Sequence, residues 1–129
     1  MENLIIKATD ITPEINFNIA EKVFIIKGES RPENVKDFFE PVLNWIDTYF
    51  AENKSDEKQV FTIMLAYFNS SSAKFMLTLL KNLGKFYLNG SNIEINWFYE
   101  EGDDDMKEAG EQMSEMAKIP FNFVEVEEF

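Results

Sequence analysis

The chain has 129 residues, the length of one ordinary domain, and 45% of them are hydrophobic, which is enough for a buried core. Its 24 acidic and 12 basic residues give a formal charge of −12, which disfavours nucleic acid and anionic membranes as partners and favours a basic protein surface. The absence of cysteine and histidine excludes disulfides, thiolate nucleophiles and imidazole groups as bases or metal ligands.

Apolar periodicity predicts nine elements in the order β-β-β-α-β-α-β-α-β. Short apolar runs bounded by turn residues indicate strands, and apolar residues recurring every three or four positions indicate helices. Strands that alternate with helices imply right-handed crossovers and parallel pairing. We therefore expect a single α/β domain with a mixed, mostly parallel sheet and about three helices. The predicted bounds are strands at 3–8, 15–20 and 22–28, a helix at 30–53, a strand at 59–68, a helix at 73–90, a strand at 93–100, a helix at 101–119 and a strand at 120–129.

Local patterns sharpen this prediction at several points. The run "QVFTIMLAYF" (59–68) is nearly continuous in apolar residues, which is typical of a central strand buried on both faces. Ser30 and Glu33 have the spacing of a capping box at the start of the first helix. The 13 phenylalanines predict an aromatic-rich core, to which Trp45 and Trp97 are expected to belong.

The sequence also bears on the cellular compartment. Its first ten residues, "MENLIIKATD", have no basic leader, and their apolar run is too short for a signal peptide. No stretch approaches the ~20 apolar residues of a membrane span. We therefore expect a soluble cytoplasmic protein.

Three consecutive serines form the first candidate site. Asn69, Ser70, Ser71 and Ser72 follow the predicted central strand directly and precede a helix. Binding sites of open α/β sheets are usually built at this carboxyl edge, and a helix N-terminus favours phosphate. Serine is also a preferred N-cap residue, so the residues alone favour helix capping as the explanation of this cluster.

The segment "GESRPEN" (28–34) forms a second strand-to-helix turn. It contains Glu29, Glu33 and Asn34, and it lies beside the serines if its strand pairs in parallel with the central strand. A capped helix start explains this segment as well.

Two other functions have weaker sequence support. Ser71 and Lys74 match the S-x-x-K spacing in which some acyl-transferring enzymes place a nucleophile and a base, but the accompanying motifs are absent. The acidic run "EEGDDD" (100–105) offers oxygen ligands for a cation, yet it lacks the spacing of a calcium loop and is better explained as a solvated helix start. We therefore expect neither a metal site nor a cofactor.

The two strand-to-helix turns carry a resemblance to a known family. The segments "TPEI" (12–15), "GESRPENVKDFFEPVLNWI" (28–46), "LAYFNSSSAKFM" (65–76) and "INWFYE" (95–100) resemble the SiaC family of bacterial regulatory phosphoproteins. Members of that family are similar to the STAS domains of anti-sigma-factor antagonists. The resemblance implies a STAS-like domain that catalyses nothing itself.

The resemblance also implies a phosphorylation switch. The residue after the Asn of the strand-end motif is the acceptor in the family, which corresponds to Ser70 here. The implied partners are a protein kinase, a PP2C-type phosphatase and a diguanylate cyclase of cyclic-di-GMP signalling. The expected docking face comprises Glu29, Glu33, Asn34, Asn69, Ser71, Ser72 and Lys74 around Ser70. Two alternatives remain. One is a module that regulates an anti-sigma factor, and the other is a small hydrolase that uses Ser71 and Lys74.

Overall fold

The computed structural model describes residues 1–54 and 56–129, and these contain six strands and three helices in the predicted order. All three helix starts differ from the prediction, because α1 begins at Val35 rather than residue 30, α2 at Ser70 rather than residue 73 and α3 at Asp104 rather than residue 101. The elements are β1 (Leu4–Ile6), β2 (Glu14–Asn18), β3 (Val23–Ser30), α1 (Val35–Glu52), β4 (Gln59–Phe68), α2 (Ser70–Leu88), β5 (Ile93–Glu100), α3 (Asp104–Ala117) and β6 (Phe121–Val126).

The strands form one mixed sheet in which spatial order follows chain order, β1-β2-β3-β4-β5-β6. The first three strands pair antiparallel, and β3, β4, β5 and β6 pair in parallel. The prediction of an α/β domain with a mixed, mostly parallel sheet and three helices is therefore confirmed. Among the described residues, no helix is both long enough and apolar enough to cross a membrane.

All three helices cover the same face of the sheet. Ile26, Ile63 and Trp97 lie side by side on adjacent strands, and each is at most 1% exposed. Every right-handed crossover between successive neighbouring strands places its helix on this side. Residues Val60 and Met64 of β4 point to the other face and are only half-buried. The predicted central position of β4 is thus confirmed, but the prediction that both of its faces are buried is wrong.

Aromatic rings fill the space between the helices and the sheet, as predicted. The Phe17 ring lies 4.9 Å from that of Trp45, and the Trp45 ring stacks on Tyr49 at 4.9 Å. Phe24 stacks on Phe61 at 4.7 Å. These centroid distances lie in the favourable range for aromatic pairs, so the rings stabilise the core through both apolar burial and ring geometry.

The start of α1 corrects the predicted capping box. Asn34 is the N-cap residue, and its Oδ1 accepts a hydrogen bond from the Asp37 amide at 3.2 Å. Strand β3 continues past Gly28, through a bulge at Gly28 and Glu29, and ends at Ser30. Ser30 is therefore a buried strand residue and caps no helix. Four residues separate Ser30 from α1, and Asn34 is the polar residue immediately before the helix.

This correction yields a stability prediction. Replacing Asn34 by alanine is expected to lower the free energy of unfolding by about 1 kcal/mol, because the Asp37 amide loses its partner. Replacing the exposed Glu33 by alanine is expected to change it by less than about 0.5 kcal/mol. Urea denaturation of the two variants checks this, and a Glu33 effect as large as that of Asn34 would restore the capping box.

Two glycines allow α3 to approach its neighbours closely. A Cβ atom on Gly84 of α2 would lie 2.1 Å from the backbone oxygen of Ala117. A Cβ on Gly110 of α3 would lie 2.5 Å from Nε1 of Trp97, which itself donates a hydrogen bond to the Met106 oxygen at 3.0 Å. The close packing of α2, α3 and β5 therefore requires glycine, which has no side chain, at positions 84 and 110.

Candidate functional site at the start of α2

The three serines form the first turn of α2, and Asn69 before them is the N-cap. The Asn69 Oδ1 accepts from the Ser72 amide at 2.9 Å, and the Asn69 backbone oxygen accepts from the Ala73 amide at 2.9 Å. The first four amides of a helix have no partner within it, so those of Ser70 and Ser71 are not satisfied by this cap. Because Asn69 fills the N-cap position, the helix does not need a serine as its cap. Helix capping was the alternative explanation of the serine cluster.

The three serines differ in exposure. Ser70 and Ser71 are exposed, whereas Ser72 is 0% exposed. The Ser72 hydroxyl donates to the Ser30 backbone oxygen at 3.0 Å and accepts from the Ser30 hydroxyl at 2.8 Å. Ser72 thus ties the start of α2 to the end of β3. It does not lie on the surface with the other residues of the predicted docking face, because its side chain points into the domain.

The parallel pairing of β3 and β4 brings the two strand-to-helix turns together. Ser30 pairs with Phe68, and the Asn69 amide donates to the Ser30 oxygen at 3.0 Å. The "GESRPEN" turn therefore flanks the serines, as predicted. Of its predicted contact residues, Glu29 is half-buried, and Glu33 and Asn34 are exposed. Lys74, one helical turn beyond Ser70, is exposed as well.

Arg31 and Tyr67 also belong to this site, although no sequence motif pointed to them. The guanidinium of Arg31 lies 5.7 Å from the centre of the Tyr67 ring, and its Nη2 lies 3.3 Å from the Glu29 carboxylate. The Arg31 amide donates to the Ile11 oxygen at 2.8 Å, which fixes the backbone. The available signal was that Arg31 is the single arginine in the sequence and lies within "GESRPEN".

The first turn of α2 differs in charge from the first turns of α1 and α3. Asp37 lies in the first turn of α1, and Asp104 and Asp105 lie in that of α3. No acidic residue lies in the first turn of α2, which consists of hydroxyl residues. Since a helix N-terminus favours negative charge, an anion added to Ser70 meets the positive end of the dipole and no carboxylate of that turn.

Among the described residues, two titrating groups have a shifted pKa, and both lie at the opposite edge of the sheet. Burial raises the pKa of Tyr49, whose hydroxyl donates to Gln59 at the first position of β4. Hydrogen bonds from Lys58 and Asn122 lower the pKa of Glu94, near the start of β5. Both pKa shifts arise from contacts within the sheet and its flanking helix, so neither indicates a function of the serine site.

The arrangement lends no support to the hydrolase alternative. Ser71 and Lys74 are both exposed, and no hydrogen bond joins their side chains among the described residues. A lysine acts as a general base where burial removes it from water, which is not the situation of Lys74. The acidic run spans the last residue of β5, a turn and the start of α3, whose N-cap is Asp103. The described residues hold no group of three or more acidic side chains placed to bind a metal ion.

The fold and the site together define a single α/β domain that presents serine hydroxyls at a helix N-terminus. The chain belongs to the SiaC family, because the family model described as "SiaC family regulatory phosphoprotein" matches residues 6–126.

Relatives of known sequence or structure agree with this assignment. An uncharacterized protein of Pseudomonas aeruginosa (strain UCBPP-PA14) is 27% identical over 121 residues, which are 94% of each chain. SiaC of Pseudomonas aeruginosa has a TM-score of 0.87 and 25% identity, over 98% of this chain and 100% of that one. A chain in the crystal structure of the diguanylate cyclase SiaD with its activator SiaC, from the same organism, has a TM-score of 0.87 and 26% identity, over 95% and 99% of the two chains.

Proposed function

We propose that this protein is a phosphorylation-switched regulator of a diguanylate cyclase, with Ser70 as the phosphate acceptor. The observation that carries the proposal is the contrast between the serines, since Ser70 is exposed at the first position of α2 and the Ser72 hydroxyl is buried and bonded. Ser71 is exposed too, and its assignment to the docking face rather than to phosphate transfer rests on the family resemblance. The family description and the SiaD–SiaC complex support the regulatory role and the class of partner.

The switch would act through local charge. A phosphate on Ser70 adds about −1.5 to −2 charges at neutral pH, together with three acceptor oxygens. The dipole of α2, the neighbouring Ser71 amide, Lys74 and Arg31 are its available partners. Arg31 would exchange a single carboxylate contact for a stronger one with phosphate, since a guanidinium binds phosphate in a bidentate manner. The added charge and bulk would then weaken docking of a partner over this edge.

The partners are those that the family resemblance implies. A protein kinase must add the phosphate and a phosphatase, expected to be of the PP2C type, must remove it. The unphosphorylated surface of Glu29, Glu33, Asn34, Asn69, Ser71 and Lys74 would contact the cyclase. The domain would serve as the substrate of kinase and phosphatase and work in the cytoplasm, where a diguanylate cyclase acts. A module acting on an anti-sigma factor would use the same switch with a different partner.

Phosphosite mapping tests the acceptor. The full chain, expressed in its host of origin, is analysed by intact mass and by peptide spectrometry over residues 65–81. We expect one phosphate on Ser70, its loss in Ser70→Ala and its retention in the matched control Ser71→Ala. Phosphate on Ser71 alone would move the acceptor by one residue, and absence of phosphate under all growth conditions would overturn the switch.

Binding measurements test the partner. Phosphorylated and unphosphorylated chains are titrated against the diguanylate cyclase of the same organism. We expect phosphate on Ser70 to weaken binding by about tenfold or more, which corresponds to about 1.4 kcal/mol. Equal affinity of the two forms would show that phosphate does not control docking. Native co-purification of an anti-sigma kinase in place of the cyclase would favour the alternative module.

A further inference from the structure

A groove between α2 and α3 combines an apolar floor with a rim of lysines. It consists of two adjoining depressions of about 290 and 260 Å³ that share Met116. Met116 is 55% exposed and Leu88 is 84% exposed, values that are high for large apolar side chains of a folded domain. We call this surface the α2–α3 groove; its floor includes Phe68, Leu77, Leu88, Met113 and Met116, and its rim consists of Lys74, Lys81, Lys85 and Lys118.

The charge of this groove is opposite to that of the molecule. The whole chain has 24 acidic residues, yet none of the described residues that line the groove is acidic, whereas four of the 12 basic residues are there. The ion pairs found among the described residues use Lys22, Arg31 and Lys58, so these four lysines are not neutralised within the described part of the chain. The acidic side chains Glu108, Glu111 and Glu115 of α3 line neither depression, although Glu108 accepts a hydrogen bond from Gln112, which does line one.

We infer that the α2–α3 groove binds an amphipathic helix of a partner protein, with acidic residues flanking its apolar stripe. The two walls are helices whose backbone groups are bonded internally, so an extended peptide finds no strand edge, whereas a third helix packs its ridges between them. Each depression is smaller than a typical small-molecule pocket of about 300–1,000 Å³, but it has room for a large apolar side chain. The lysine rim supplies complementarity to acidic flanking residues.

This groove extends the proposed function, and in that respect the inference rests on it. Lys74 forms one end of the rim and lies one helical turn from Ser70. A phosphate on Ser70 would therefore stand at the end of the groove, where it repels an acidic helix and competes for Lys74. The unphosphorylated chain would thus be the form that receives the helix.

A designed helix tests the groove without reference to the switch. The probe is a labelled peptide of about 18 residues, or five turns, with a leucine stripe flanked by glutamates. Fluorescence anisotropy measures its binding to the unphosphorylated full chain. We expect Lys81→Glu/Lys85→Glu to weaken binding by about tenfold or more, and the control Lys7→Glu/Lys36→Glu, with the same change in charge on exposed residues elsewhere, to change it by less than about threefold. Equal losses in both variants would mean unspecific charge attraction and would overturn the inference.

Methyl spectra locate the bound peptide. The methyl resonances of Met113 and Met116 are expected to shift on binding, while that of Met64, on the open face of the sheet, stays in place. Shifts confined to Met64 would place the peptide elsewhere and overturn the inference that the groove binds it. Sedimentation supplies a further check, because self-association of the wild type that is lost in Lys81→Glu/Lys85→Glu would make a second copy of the chain the occupant and overturn the assignment to a partner protein.

The cyclase of the same organism separates this inference from the proposed function. Binding of the wild type that is lost in the groove variant supports both. Binding that is equal in wild type and groove variant overturns the groove and leaves the proposed function intact. If the cyclase binds neither form, the proposed function fails, and the peptide titration still decides whether the groove accepts an acidic helix.

Discussion

Replacing Gly84 by alanine is expected to destabilise the protein by about 1–3 kcal/mol. In an ordinary helix interior the same change stabilises, by about 0.5–1 kcal/mol, because alanine is the better helix former. At this position the new Cβ would lie 2.1 Å from the Ala117 oxygen, a backbone atom at the end of α3. The contact is relieved only when the two helices move apart, which loosens the packing beneath them.

Thermal and urea denaturation measure this effect. Thr78→Ala serves as a matched control, because Thr78 is exposed on the same helix and its hydroxyl donates to the Lys74 backbone oxygen one turn away. We expect the control to remain within about 0.5 kcal/mol of the wild type. A stabilised Gly84→Ala variant would show that α2 and α3 do not approach each other as closely as described. The shape of the α2–α3 groove, which depends on that approach, would then be different.

The second large effect is expected at the buried hydroxyl pair. Replacing Ser72 by alanine removes the acceptor of the Ser30 hydroxyl and a donor to the Ser30 backbone oxygen. An unsatisfied buried polar group costs about 1–3 kcal/mol, so a loss of this size in the free energy of unfolding is expected. Ser30→Ala should cost less, because the Ser72 hydroxyl keeps its bond to the Ser30 backbone oxygen.

A double-mutant cycle isolates the pair. The double variant removes both hydroxyls and leaves none unpaired, so its loss should be smaller than the sum of the two single losses by about 0.5 kcal/mol or more. Strict additivity would mean that the two hydroxyls do not interact. Phosphosite mapping of Ser72→Ala adds a functional readout. The Ser72 hydroxyl holds the start of α2 against β3, so its removal should lower the phosphate occupancy of Ser70, although Ser70 itself is unchanged.

The sequence by itself determined the order of the elements and the class of the fold. A short apolar run and a repeat of period 3.6 depend only on neighbouring residues, so the strand β4 and the helix α1 could each be recognised from local pattern. The alternation of strands and helices then required parallel pairing, and the two strand-to-helix turns could be placed at one edge of the sheet. Family resemblance singled out Ser70, whereas the residues alone favoured helix capping.

Only the tertiary structure decided which of the three serines are exposed and where the helices begin. Burial of Ser72 depends on Ser30, which is 42 positions away in the chain and comes into contact through the β3–β4 pairing. The same pairing extends β3 to Ser30 and shifts the cap of α1 to Asn34. The open face beside Val60 and Met64, the role of Gly84 and the lysine-rimmed groove likewise depend on which helix packs against which. These features arise from contacts between residues distant in sequence, and a local pattern does not encode such contacts.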